Sequence, residues 1–240
     1  MANDEIKRRL ERTLRELRPV LLDISRTLYE RPELSGEEHQ SAALLCGLAA
    51  KHGFSVERPP DGALARAAHM PTAFRAARRG KKERPCVAYL AENDTHPGIG
   101  QGCGHNLIAA ASAGAAFALG SVIEELEGSV VLLGTPAEET VGGKIELLRA
   151  GAFDAVDAAM MFHPSQETRV NTTSLACQSL DVIFHGKEAH AAASPELGIN
   201  ALDALVSFYV SLGMLKKQLR KDVRIPGIIT EGGARPNVDP

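Results

Sequence analysis

Three mostly continuous apolar runs constrain the fold of this chain more than any other feature. They are Cys86–Ala91 (CVAYLA), Ser129–Gly134 (SVVLLG) and 155–162 (AVDAAMMF). Runs of this kind are typical of strands that are covered on both faces in a parallel sheet. The intervening segments 106–126 and 143–150 have the composition and length of helices. This order predicts a βαβαβ unit and therefore an α/β fold.

The residues before these runs predict two helices and two further strands. Leucines recur at helical spacing within residues 5–30. Ser35 and Glu38 have the spacing of a capping box, which would open a second helix that ends at Gly53. The two further strands are expected at 54–57 and 72–78. Together these elements predict a three-layer fold in which helices flank a mixed, largely parallel sheet.

The hydrophobic pattern changes after about residue 170. Segment 175–185 alternates like a strand, 200–219 has an amphipathic helical pattern, and 224–231 again resembles a strand. This β-α-β order predicts the first part of a smaller α+β domain. We therefore expect one domain over residues 1–172 and the first part of a second domain over 173–240.

Charge and cysteine usage exclude several classes of protein. The formal net charge is −3, which argues against a nucleic-acid partner. No apolar run approaches the roughly 20 residues that a membrane span needs, and the N-terminus is charged without a signal-peptide pattern. The four cysteines are widely spaced, as expected for reduced thiols in a cytoplasmic protein. A thiolate is therefore available as a metal ligand.

Side chains that bind metals follow each of the three apolar runs. Cys103 and His105 come after the first run, Glu138 and Glu139 after the second, and His163 after the third. In open α/β sheets, ligands bind beyond the carboxyl ends of the strands. A thiolate with an imidazole suits zinc first, with cobalt, nickel and manganese as alternatives, and does not suit calcium or magnesium. Two adjacent carboxylates can divide into one metal ligand and one general base.

Each of these segments also has a structural interpretation. The glycine-rich turn around Cys103 can simply hold a buried thiol. Thr135, Pro136 and Glu138 fit the start of a capped helix, although Gly142 would end such a helix after one turn. A lone histidine such as His163 is commonly structural. The conjunction of all three segments favours a metal site.

Five longer stretches resemble a known family. They are PGIGQGCGHNLI (97–108), GTPAEETVGGKIELLRAGAFD (134–154), MFHPSQ (161–166), HGKEAHAAASPELGINALDAL (185–205) and IPGIITEGGARPNVDP (225–240). The chain resembles the aminoacylase, carboxypeptidase and hippurate hydrolase group of two-zinc metallopeptidases, in its amidohydrolase branch. CGHN and HPSQ are most similar to the sub-branch that cleaves β-alanyl dipeptides or p-aminobenzoyl-glutamate.

The resemblance implies a role for each candidate residue. Its metal ligands, for two divalent ions with zinc expected first, would be Cys103, His105, Glu139 and His163. Glu138 would be the general base for the attacking water. His190 would reach the site of a partner subunit and polarise the scissile carbonyl, and Asn237 would help to hold the substrate. The implied substrate is an N-acyl amino acid or a dipeptide-like amide.

The chain departs from the family pattern in two short places. Gln101 stands where family members commonly have a histidine, and 93–97 (NDTHP) replaces a Tyr-Asp-Ala-Leu-Pro-like run. Asp94 is kept and is expected to orient a metal ligand. His96 could be a polar group at the pocket rim, but we expect an exposed loop histidine.

The resemblance also implies that the family pattern continues beyond Pro240, where a further metal-binding histidine is expected. Residues 1–172 would then be the first part of a metallopeptidase-like catalytic domain and 173–240 a partial lid or dimerisation domain, and the chain would be C-terminally truncated relative to the family. We expect a metal-dependent amide hydrolase that forms a homodimer or assembles with a complementing subunit. The alternative is a non-catalytic or truncated relative that binds metal or assembles with a complete subunit.

Overall fold

The computed structural model describes residues 2–170, 172–235 and 238–239. It divides into two compact units, Met1–Thr168 and Arg169–Pro240. Within the described residues, no helix combines the length and the apolar character that crossing a membrane requires.

A five-stranded sheet forms the centre of the first unit. Its strands are β1 (Ser55–Glu57), β2 (Phe74–Arg79), β3 (Cys86–Ala91), β4 (Ser129–Gly134) and β5 (Ala158–Met160). Their spatial order is β1-β2-β4-β3-β5. Strand β3 pairs in parallel with β4 and β5, whereas β2 is antiparallel to β1 and β4. Only β2 therefore opposes the other strands, and the predicted mixed, largely parallel sheet is confirmed.

Helices cover both faces of this sheet. They are α1 (Ala2–Glu30), α2 (His39–Lys51), α3 (Ala63–Ala67), α4 (His105–Gly120), α5 (Glu138–Val141) and α6 (Lys144–Arg149). Side chains of α1, α2 and α4 pack with Val130 and Leu132 of β4, while those of α3 and α6 pack with Val131 and Leu133. Alternate residues of one strand thus enter two cores, which confirms the three-layer prediction.

The alanine-rich helix α4 packs closely against α1. A Cβ atom added at Gly114 would lie 2.7 Å from Leu21 Cδ1, so a larger residue there would push the helices apart. Small side chains on α4 therefore allow a dense helix contact, and the contact fixes the N-terminus of α4 beside the carboxyl end of β3.

The predicted capping box at Ser35 and Glu38 is wrong. Neither side chain caps helix α2, whose first backbone N–H groups are instead bound by the Glu33 carboxylate, at 2.8 Å from Gln40 N and 2.8 Å from Ser41 N. Glu33 satisfies the helix end, so Ser35 and Glu38 are free to bind residues distant in sequence.

The second unit contains one long helix and a short sheet. Helix α7 (Ala201–Leu215) confirms the predicted helix, and β6 (Ala189–His190) pairs in antiparallel fashion with β7 (Val238–Asp239). The strands predicted at 175–185 and 224–231 are not formed in the described residues. Alternation predicts one buried face, but a strand also needs a hydrogen-bonded neighbour, and neither segment has one there.

Candidate metal centre

Polar side chains converge beyond the carboxyl ends of β3 and β4. Glu92 directly follows β3, His105 is the first residue of α4, and Glu138 is the first residue of α5. Gly104 precedes His105 with φ +80°, and a Cβ atom there would lie 2.8 Å from Pro164 Cγ. Glycine at this position therefore permits the sharp turn that brings His105 into the site.

Two groups of donor atoms occupy this region, and within each group all donors lie within 4.8 Å of one another. The inner group is Glu92, His105 and Glu138. The outer group is His96, Cys103 and Glu139. The inner residues are mostly buried, and the outer residues are half-buried.

The His105 ring is oriented by Asp94, as the sequence predicted. His105 Nδ1 donates to Asp94 Oδ1 at 2.9 Å. Burial alone would lower the pKa of His105, but the Asp94 hydrogen bond and the Glu92 carboxylate outweigh burial and raise it. With its proton on Nδ1, the ring directs the Nε2 lone pair into the inner group, which is the usual arrangement of a metal-binding histidine.

Five buried side-chain atoms of the described residues have no partner in hydrogen-bonding geometry, and three of them belong to the two donor groups: Glu92 Oε2, His105 Nε2 and Glu139 Oε1. His105 Nε2 lies 3.3 Å from Glu92 Oε2 and 3.6 Å from Glu139 Oε1. The other oxygen of Glu92 pairs with Lys144 Nζ. Buried electron-pair donors that face one another are unfavourable unless a cation lies between them. Their positions therefore fit a metal ion.

The donor types also fit a metal of borderline softness. Imidazole, thiolate and carboxylate together are typical zinc ligands. Burial, followed by the nearby Glu139 carboxylate, raises the pKa of the Cys103 thiol to about 11. A bound cation would oppose this effect, because it stabilises the thiolate.

Residues of the segment before α2 form hydrogen bonds that hold the centre in place. Asp94 Oδ2 accepts from Ser35 Oγ at 2.7 Å and from Glu139 N at 2.9 Å. Glu38, fully buried, accepts from Ala137 N at 2.8 Å and from Thr72 Oγ1 at 2.6 Å. The two carboxylates thus fix the backbone around Glu138 and Glu139.

The capped helix considered at Thr135 is not formed. Among the described residues Thr135 Oγ1 has no hydrogen-bond partner, and the residue before α5 is Ala137, in a left-handed conformation with φ 56°. The expected end of this helix after one turn is confirmed, because Gly142 follows Val141, the last residue of α5, with φ 62°. The turn directs the two glutamates toward the centre at the cost of a strained backbone.

The structure brings together four of the candidate residues: Cys103, His105, Glu138 and Glu139. His163 is exposed, with Nδ1 2.9 Å from Pro164 O, and in the described part of the chain it joins neither group. His190 lies in the second unit, where its Nδ1 accepts from Ala192 N at 3.2 Å and Ala193 N at 3.1 Å. Asn237 falls outside the described residues.

Sequence reasoning missed Glu92 and underestimated His96. Glu92 immediately follows the last residue of β3, so the strand-end rule applied to the other candidates would also have found it. His96 was expected to be an exposed loop histidine, but its Nε2 lies 3.0 Å from Glu139 Oε2. No local pattern could have shown that contact, since it joins a loop to helix α5, which is far away in sequence.

Comparison with known sequences places these motifs in a family. Residues 87–217 match the sequence profile of the peptidase family M20/M25/M40. The chain is 40% identical over 247 residues to the Xaa-Arg dipeptidase of Mus musculus, covering 98% of this chain and 56% of that protein. It is 34% identical over 256 residues to one of the subunits of the p-aminobenzoyl-glutamate hydrolase of Escherichia coli K12, and the match covers 98% of this chain and 51% of that subunit. The chain therefore spans about half the length of these curated relatives.

Solved structures show the same fold. A protein from methicillin-resistant Staphylococcus aureus is 21% identical with a TM-score of 0.64, covering 97% of this chain and 64% of that chain. A dinuclear metal-binding peptidase of the M20 family from Bacillus subtilis is 24% identical with a TM-score of 0.51, and the match covers 60% of this chain and 42% of that chain. At these identities the likeness concerns the fold alone.

Proposed function

We propose that this chain, which belongs to the peptidase family M20/M25/M40, provides the metal centre of a hydrolase that cleaves an amide bond in an N-acyl amino acid or a dipeptide-like substrate. The observation that carries the proposal is the set of buried, unpartnered donor atoms on Glu92, His105 and Glu139. In a family of peptidases, such a set is best explained as a site for divalent cations.

We assign two divalent ions to this centre, one beside each donor group, with zinc expected first and with Glu138 of the inner group left out of the ligand set. Cys103, His105 and Glu139 are proposed ligands, and Glu92 is added to them. His163 remains a proposed ligand on the sequence resemblance alone, since its ring is exposed. When bound, the ions would polarise the scissile carbonyl and lower the pKa of the attacking water.

The two adjacent glutamates differ in ways that suit different roles. The Glu139 side chain is 9% exposed and that of Glu138 is 36% exposed. Burial, followed by the nearby Glu92 carboxylate, raises the pKa of Glu138. A reachable carboxylate of raised pKa is suited to take a proton from water and return it to the leaving amine nitrogen. We therefore propose Glu138 as the general base and Glu139 as a ligand.

The substrate class follows from what the matched relatives share. Their names describe an Xaa-Arg dipeptidase, a p-aminobenzoyl-glutamate hydrolase and an N-acetyl-L-cysteine deacetylase. Each of these substrates contains an amide bond to an amino acid. Asn237 is proposed to hold the substrate and His190 to polarise its carbonyl in a partner subunit, in each case on the sequence resemblance.

Because the chain spans about half of these relatives, the proposed activity is that of the complete protein. A second candidate is a metal-binding component that turns over substrate only with another polypeptide. A homodimer and a complementing subunit are the two assemblies considered.

A Glu138→Gln variant tests the proposed function. The new amide would keep the size of the side chain but could not accept the proton, so hydrolysis should fall by about 100-fold or more while metal content stays unchanged. The substrates are an Xaa-Arg dipeptide, p-aminobenzoyl-glutamate and N-acetyl-cysteine, and metal is measured by mass spectrometry. The control is Glu83→Gln, which changes an exposed carboxylate paired with Arg79.

Three outcomes separate the alternatives. Full activity of the Glu138→Gln protein, or of metal-depleted protein, would contradict the proposal. Metal binding without turnover in the wild-type chain, with turnover restored by a second polypeptide, would favour the second candidate. Loss of activity in the Glu83→Gln control would show that the effect is not specific to the centre.

A further inference from the structure

His96 contacts a metal-binding carboxylate although its loop departs from the family pattern. Its Nε2 lies 3.0 Å from Glu139 Oε2. Cys103 belongs to the same group, with its Sγ within 4.8 Å of both donor atoms. The second oxygen of Glu139 is buried and has no hydrogen-bond partner among the described residues. An imidazole and a thiol therefore meet at a carboxylate whose bonding is incomplete.

The backbone holds His96 in this position from both sides. His96 N donates to Gly100 O at 3.2 Å, and Gly100 N donates to His96 O at 3.0 Å. Gly98 and Gly100 have φ values of 70° and 72°, which glycine tolerates best. On the other side, Thr95 Oγ1 donates to Glu33 O at 2.9 Å. The closed turn 96–100 and the anchored Thr95 fix the backbone of His96, which limits the positions that its ring can take as a ligand.

A surface pair in the same unit shows what a simple histidine–carboxylate contact looks like. His39 Nε2 lies 3.6 Å from Glu37 Oε2, and the two side chains are 60% and 75% exposed. That pair belongs to neither donor group. The His96 contact differs because a thiol joins it and because Glu139 is nearly buried. Ligand atoms of a tetrahedral zinc site, at about 2.0–2.3 Å from the ion, lie roughly 3.5 Å apart, which is compatible with the spacing of this group.

We propose that His96 is a metal ligand, and that it holds one divalent transition ion together with Cys103 and Glu139. The inference deepens the proposed function and rests on its metal centre. His96 stands where the run that the family commonly carries has a leucine, so the resemblance does not itself assign this ligand. His96 also lines an open cavity of about 410 Å³ beside Ile99 and Gln101, so this member of the outer group is reachable from solvent.

Cobalt titration of the metal-free chain tests this assignment without any need for turnover. Co²⁺ bound to a thiolate has a charge-transfer absorption band, and a Cys103→Ser variant identifies the part of the band that belongs to Cys103. His96→Gln keeps a hydrogen-bond donor for Glu139 but removes the imidazole. His39→Gln is the matched control, since it changes the exposed histidine of the surface pair.

We expect the His96→Gln substitution to lower the affinity of one of the two cobalt sites by at least about tenfold and to reduce the absorption of the Cys103 charge-transfer band. The affinity of the other cobalt site should not change, and the His39→Gln protein should bind cobalt as the wild type does. Wild-type affinities and an unaltered band in His96→Gln would overturn the inference and leave the proposed hydrolase intact. Loss of one equivalent in His96→Gln, when the wild-type chain hydrolyses no amide either alone or with a complementing polypeptide, would support His96 as a ligand and contradict the proposed function. A wild-type chain that binds no cobalt would overturn both.

Discussion

Asp94 connects three parts of the candidate centre through its two carboxylate oxygens. Oδ1 accepts from His105 Nδ1, and Oδ2 accepts from Ser35 Oγ and Glu139 N. Burial alone would raise the pKa of Asp94, but hydrogen bonds from His105, Glu139 and Ser35 outweigh burial and lower it. The side chain is therefore held as a carboxylate, and every one of its partners is a donor. Such a residue tolerates no replacement that introduces a donor of its own.

Asp94→Asn should weaken metal binding by about 10–100-fold without unfolding the chain. Either orientation of the new amide places an NH₂ group against a donor, so the variant would turn the His105 ring or displace the Glu139 backbone. Affinity is measured by cobalt or zinc titration. The control is Asp157→Asn, because Asp157 accepts from Cys86 N at 2.7 Å near the amino end of β3. Equal affinity in the Asp94 variant and the wild type would show that Asp94 does not orient the ligand.

At the scale of elements, the segment between α1 and α2 fixes the loops of the centre. Glu38 is fully buried and accepts from three donors: Gly36 N, Thr72 Oγ1 and Ala137 N. These donors belong to the segment itself, the approach to β2 and the turn before α5. One carboxylate therefore joins three stretches that are far apart in sequence.

Glu38→Ala should lower the free energy of unfolding by about 2–4 kcal/mol, because it leaves buried donors without an acceptor. Chemical denaturation monitored by circular dichroism gives this quantity. The neighbouring Glu37→Ala is the control, and its change should stay within about 1 kcal/mol, since Glu37 makes only an exposed pair with His39. A similar small change in both variants would mean that Glu38 contributes no more than a surface residue.

Elements with a strong local signal could be predicted from the sequence, and elements that depend on distant partners could not. Strands β3 and β4 have the predicted bounds because their apolar runs are continuous. Ser35 and Glu38 have the spacing of a capping box whether they bind their own helix or, as here, Asp94 and Ala137. The strand-end rule predicted that Cys103, His105, the two glutamates and His163 would meet. The first four lie together, but His163 joins neither group in the described residues. The rule also gave no information about the loop contact of His96.

At the scale of the whole molecule, all six donors of the inner and outer groups belong to one compact unit. They lie between Glu92 and Glu139, and the first unit extends to Thr168. The beginning of the second unit is open to solvent, since residues 172–185 have no regular secondary structure and are exposed. The proposed metal-binding function should therefore be separable from the second unit.

Limited digestion with chymotrypsin should cut first near Leu175 and Leu180, which are 64% and 78% exposed. We expect the N-terminal fragment to keep its sheet and helices and to bind cobalt with the stoichiometry of the intact chain. Mass spectrometry identifies the cuts, and titration of the purified fragment gives the stoichiometry. The uncut chain, incubated under the same conditions without protease, is the control. Loss of one cobalt equivalent from a folded fragment would mean that the second unit supplies a metal ligand. His190 would then be the first residue to substitute, because it is the histidine of that unit that is proposed to act at a metal site.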